Sequence, residues 1–134
     1  MSRTFYIIGA GMGTSDTLTS EARRALDEAD AVLATARLAA LDEKAVVCPF
    51  GELAARAVQD GGNAVAVLVS GDVGFFSAAA RLREQLLSYG DVRLICGLSS
   101  LQYFCAKVGV PYDDACVRSL HGRAGSILGA VSYN

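Results

Sequence analysis

The chain has 134 residues, of which 52% are hydrophobic and 19% charged, with 14 glycines and no tryptophan. A chain of this size buries roughly two-thirds of its unfolded surface, so one compact domain is feasible and intrinsic disorder is excluded. A net charge of -2 offers nucleic acid no electrostatic hold, and the longest apolar run, Ala64–Val69, is far too short to span a membrane.

Taken in chain order, Phe5–Ile8 is an apolar run ending in glycine, the pattern of a buried strand. Ala22, Ala25, Leu26 and Ala29 then fall at i, i+3, i+4 and i+7, which predicts a helix capped by Thr19, with Glu21 suiting its dipole. Short apolar runs follow at Ala31–Ala34 and at Ala45–Cys48, the second closed by Pro49. Leu53–Val58 reads as a helix stopped by Asp60-Gly61-Gly62. Ala64–Val69 is apolar on both faces, as central parallel strands are. Ser77 is placed to cap a helix carrying Ala79, Leu82 and Leu86, and Val92–Cys96 is the next strand. Leu101, Phe104, Cys105 and Val108 form a last helical stripe before Gly109, and Cys116–Leu120 is strand-like. This alternation predicts an α/β domain: an open, mostly parallel sheet with helices on both faces.

Several chemistries are excluded. Cys48, Cys96, Cys105 and Cys116 contain no CxxC pair and His121 is the single histidine, so the ligand spacing of a zinc site is missing. The cysteines read as small buried hydrophobes. No GxSxG elbow accompanies His121, and no phosphate-binding P-loop motif occurs. The N-terminus lacks a secretory pattern, which predicts a cytoplasmic protein.

Three glycine loops follow strands and precede helices: Gly9–Gly13, Ser70–Phe76 and Gly97–Ser100. In an open α/β sheet they share the carboxyl rim, where ligands gather, and glycine lets a ligand approach the backbone. A dinucleotide site would need a third glycine where Thr14 stands, and a helix starting earlier than Thr19. Arg37 could imitate a reader of a 2′-phosphate, although a solvated surface arginine is the commoner case. Asp72 lies directly after the most apolar strand, where it can shape its loop, cap a turn or accept hydrogen bonds from a ligand. Phe75 and Phe76 read as core, one of them able to wall a cleft.

Together, Ile7–Thr14 with Leu18-Thr19, Val69–Phe75 and Gly97–Ser100 resemble the three successive loops of the tetrapyrrole methylases. Gly97–Ala106 and Ser119–Arg123 resemble the branch of that family that methylates C5 of precorrin-6Y. Met12 and Val73 depart from the proline that many members carry at those positions. The resemblance implies S-adenosyl-L-methionine as cofactor, held by Met12, Ser70, Gly71, Asp72, Phe75, Ser99 and Ser100. It implies a precorrin substrate against the first loop, at Gly9 and Gly11, with His121 and Arg123 assisting its carboxylates. It also implies that residues 1–122 form the N-terminal α/β domain and that 123–134 begin a second domain or form a tail. Further partners implied are a second copy of the full-length enzyme and a separate domain for C15 methylation and decarboxylation. Another ring carbon as target, or a stand-alone nucleotide-binding module, are the alternatives.

Overall fold

The computed structural model describes residues 3–119, and the chain divides into two compact units, Met1–Ser100 and Leu101–Asn134. The first unit holds five strands: β1 (Thr4–Gly9), β2 (Ala31–Ala34), β3 (Ala45–Val47), β4 (Ala64–Val69) and β5 (Asp91–Ile95). Their order across the sheet is β3-β2-β4-β1-β5, and all four pairings are parallel. Helix α1 (Ser20–Glu28) follows β1, α2 (Leu53–Gln59) follows β3, α3 (Ala79–Leu86) follows β4, and α4 (Ser100–Val108) follows β5.

Strand periodicity divides the core into two layers. On one face, Ile8, Ala66 and Leu68 pack with Ala22, Ala25 and Leu26 of α1. On the other, Phe5, Ile7, Val65 and Val67 pack with Leu53 and Ala57 of α2 and with Leu82 and Leu86 of α3. Neighbouring residues of β1 and β4 thus feed opposite layers, which is why these strands are apolar without alternation. Burying each large aliphatic among them contributes about 2 kcal/mol. The expected open α/β architecture is present.

Thr19 caps α1, its side chain accepting from the Ala22 N–H at 3.0 Å. Ser77 stands one place before the N-cap residue Ala78, and its hydroxyl accepts from the Ala79 N–H at 3.1 Å. Three expectations fail. Residues 116–119 are irregular rather than strand, and Leu120 lies outside the described residues. No residue of α4 is buried, and Phe104 of its apolar stripe is 64% exposed. Of the four cysteines only Cys48 is buried; Cys96 and Cys116 are exposed and Cys105 is intermediate. The reason at Cys96 is topological, because it lies just past the end of β5, an edge strand with a neighbour on one side alone. Burial pushes the Cys48 thiol above its ordinary pKa, outweighing the opposing charge of Arg56. Among the described residues no helix is long and apolar enough to cross a membrane.

Candidate functional site

Because β4, β1 and β5 are neighbours and parallel, the segments that follow them emerge side by side at the carboxyl rim. The loops are joined through their backbones. Ala10 N–H donates to the Val69 carbonyl at 2.7 Å, continuing the β1–β4 ladder one residue past the sheet. Gly11 and Gly71 then form an antiparallel bridge, Gly71 N–H donating to the Gly11 carbonyl at 2.9 Å and Gly11 N–H to the Gly71 carbonyl at 3.2 Å. The rim therefore reverses the sense of pairing where the strands end.

Gly9 and Gly97 meet at the junction of all three loops. A Cβ at Gly9 would stand 2.6 Å from the Gly71 carbonyl oxygen and 2.8 Å from Gly97 N, and one at Gly97 would strike the same Gly71 oxygen and the Gly9 carbonyl. No side chain fits there, so glycine is required by close backbone approach. Asp72 completes the junction. One carboxylate oxygen accepts from Gly97 N–H at 2.9 Å, across 25 residues, and the other from Gly74 N–H at 3.2 Å. Of the roles open to Asp72 in the sequence, these bonds perform two: the Gly97 bond shapes the loop and the Gly74 bond caps the turn that follows.

The first loop is braced from within. Thr17 is buried; its hydroxyl accepts from Met12 N–H at 3.0 Å and donates to the Thr14 carbonyl at 3.0 Å. A short 3-10 turn, Ser15–Thr17, separates this loop from α1, so the helix terminus does not abut the glycines. In the second loop, Phe75 and Phe76 meet edge to face, ring centroids 4.9 Å apart. Phe76 is 48% exposed instead of core, and its φ of +48° is a left-handed conformation that bulky residues rarely adopt. Such backbone strain costs on the order of 1–3 kcal/mol and clusters in ligand-binding loops.

The structure thus gathers Gly9, Gly11, Met12, Ser70, Gly71, Asp72, Phe75 and Ser99 on one rim. Ser99 is 5% exposed just before α4, and Ser100 is exposed as the first residue of that helix. His121, Arg123 and the expected boundary at residue 123 lie outside the described residues. Arg37 is exposed, as a solvated surface arginine is, and it nevertheless reaches the rim. It stands in the turn after β2, anchored by the buried Leu38, and its Nη1 donates to Ser70 Oγ at 2.6 Å. The available signal was positional: β2 is parallel to β4, so a residue just beyond its end belongs to the same rim as the glycine loops.

Residues 4–131 match the family model for tetrapyrrole (corrin/porphyrin) methylases. The chain belongs to this family. Among curated relatives, it is 30% identical over 123 residues to the cobalt-precorrin-7 C(5)-methyltransferase of Salmonella typhimurium, covering 87% of this chain and 61% of that protein. It is 28% identical over 127 residues to the probable cobalt-precorrin-7 C(5)-methyltransferase of Methanocaldococcus jannaschii, covering 88% and 60%. The uroporphyrin-III C-methyltransferase of Thermus thermophilus is a structural neighbour at a TM-score of 0.69 and 26% identity, covering 83% of this chain and 55% of that one. The chain therefore spans about three-fifths of the length of the curated relatives it matches.

Tetrapyrrole methylases use S-adenosylmethionine as the methyl donor. The rim of this chain suits such a group. A Cβ at Gly71 would meet only the Leu98 carbonyl, at 3.9 Å, so the second loop presents an open backbone face. Around it stand backbone amides and carbonyls with the Ser70 hydroxyl, a donor and acceptor set matching the amino, hydroxyl and heterocyclic groups of an adenosyl ligand.

Proposed function

We propose that this chain takes part in S-adenosylmethionine-dependent methylation of C5 on a precorrin ring, supplying the first α/β half of the catalytic unit. The observation that carries the reading is the side-chain-free junction of Gly9, Gly71 and Gly97, held by Asp72, in a chain whose relatives include C5-methyltransferases. Those relatives extend well beyond the matched region, which supports a second half contributed by further sequence. On this reading C15 methylation and decarboxylation fall to a separate domain.

When bound, the cofactor supplies an electrophilic methyl group on a sulfonium. The chain's own part is positioning. Met12, Ser70, Gly71, Asp72, Phe75, Ser99 and Ser100 hold the cofactor, largely through backbone groups, while Gly9 and Gly11 border the tetrapyrrole. Loops fastened to one another before binding lose little freedom on binding, and in-line placement of a carbon nucleophile accounts for much of such a rate. Phe75 and Phe76 offer an apolar wall that keeps water from the reacting atoms.

The test combines binding with product analysis. Calorimetric titration should detect S-adenosylmethionine and S-adenosylhomocysteine; binding of NADP with no response to either sulfur ligand would reject the methylase reading for this chain. The full-length protein, given carbon-13 methyl-labelled cofactor and cobalt-precorrin-7, should place the label on C5. Label on another ring carbon would overturn the C5 assignment alone.

A further inference from the structure

The long cations that brace the first unit have well-defined partners. Arg3 donates to the carbonyls of Ala57, Val58, Asp60 and Gly62. Arg23 donates to the Leu41 carbonyl and pairs with Asp42 at 3.6 Å. Lys44 donates to the carbonyls of Leu26, Asp27 and Ala29. Arg37 differs from all three: its contact is a neutral hydroxyl, that of Ser70, and among the described residues it has no carboxylate and no carbonyl partner. Arg24, Arg56, Arg81 and Arg83 also lack such partners, but they lie on helices, and Arg93 lies on β5. Arg37 is at the rim, beside the second loop through Ser70 and beside the first, where a Cβ at Gly13 would be 3.9 Å from its Nη2.

A guanidinium has five N–H donors in a planar fork, and the Ser70 bond engages one nitrogen. That bond fixes the head group without neutralising it. The other rim charge, Asp72, is itself a carboxylate bonded to loop amides, and it repels a ligand carboxylate instead of pairing with it. We propose that Arg37, oriented by Ser70, is the carboxylate anchor of this site, pairing with a ligand carboxylate through its unengaged donors. The proposal rests on the methylase reading and adds to it a recognition residue and its chemistry. Two sources share that chemistry: the methionine carboxylate of the cofactor and a peripheral carboxylate of the tetrapyrrole.

Titration of the nitrogen-15-labelled chain, followed by NMR to millimolar ligand, distinguishes them. The probes are S-adenosylhomocysteine, its carboxylate-free analogue 5′-methylthioadenosine, and uroporphyrin with and without amidated carboxylates. Arg37→Met should weaken one carboxylate ligand about tenfold, the scale of a charge-assisted hydrogen bond, and leave its carboxylate-free counterpart unchanged. Selective loss of S-adenosylhomocysteine identifies the cofactor carboxylate; selective loss of uroporphyrin identifies the substrate's. Arg37→Lys keeps the charge but not the fork, so it should show a smaller loss of the same ligand, and it stands in if Arg37→Met fails to fold. Equal affinities of wild type and both variants for every probe would overturn the anchor alone. A wild-type chain that binds neither the adenosyl ligands nor uroporphyrin would overturn the methylase reading and the anchor together.

Discussion

The two ends of the sheet are closed in different ways. At the amino end, side chains do the fastening. Arg3, just before β1, reaches the last carbonyls of α2, and Lys44, just before β3, reaches those of α1. Both place a cation at a helix C-terminus, where the exposed carbonyls and the helix dipole favour it. Asp30, before β2, accepts from the N–H groups of Asn63 and Ala64 at 2.9 Å each, securing the start of β4. At the carboxyl rim, by contrast, backbone is fastened to backbone through Gly9, Gly11, Gly71 and Gly97, and Asp72 is the one charged group in the junction. The comparison teaches that the amino end commits its long side chains to structure, whereas the rim is held by backbone and leaves Ser70 and Arg37 exposed.

The largest effect should come from breaking the rim at its tightest point. Gly9→Ala sets a methyl against the Gly71 carbonyl and Gly97 N, neither of which can rotate aside, so it should cost about 3 kcal/mol or more in urea unfolding. A loss below about 1 kcal/mol would mean that the three-loop junction is slack. Arg3→Met probes the opposite end. Its guanidinium serves four carbonyls and lies 4.9 Å from the Phe5 ring, so its removal should destabilise by about 2 kcal/mol. S-adenosylhomocysteine affinity should stay unchanged in that variant, since the loss is remote from the rim; a tenfold weakening would erase the division between the two ends. Asp72→Ala frees the Gly97 and Gly74 N–H groups at a partly solvated site, costing about 1–1.5 kcal/mol in the same assay. It should also broaden the amide signals of residues 97–100, and sharp unshifted signals there would assign the loop geometry to the glycines alone.

Legibility followed the range of the interaction. The Thr19 cap spans three residues and stood plainly in the sequence, as did β4 and the stripe of α1. The identity of the three loops was also readable, because each is a contiguous strand, glycine turn and helix start. Cys96 and Phe76 were misjudged for a common reason: apolar character predicts burial only when a neighbour exists, and the sequence does not say that β5 is an edge or that Phe76 turns through a left-handed conformation. Residues 116–119, strand-like in composition, are irregular and pair with no strand among the described residues.

What the amino-acid sequence determined by itself was the class of the fold, the placing of most helices and strands, and the glycine loops that mark the family. These are local properties, set by periodicity, capping and backbone permissiveness. The order β3-β2-β4-β1-β5 was a decision of the tertiary structure, and the site follows from it. Setting β1 between β4 and β5 brings Gly9 against Gly71 and Gly97 and gives Asp72 a partner 25 residues away. Setting β2 beside β4 brings Arg37 to Ser70 across 33 residues. The physical reason is that such contacts are made by closing long loops, whose cost only a packed two-layer core can offset.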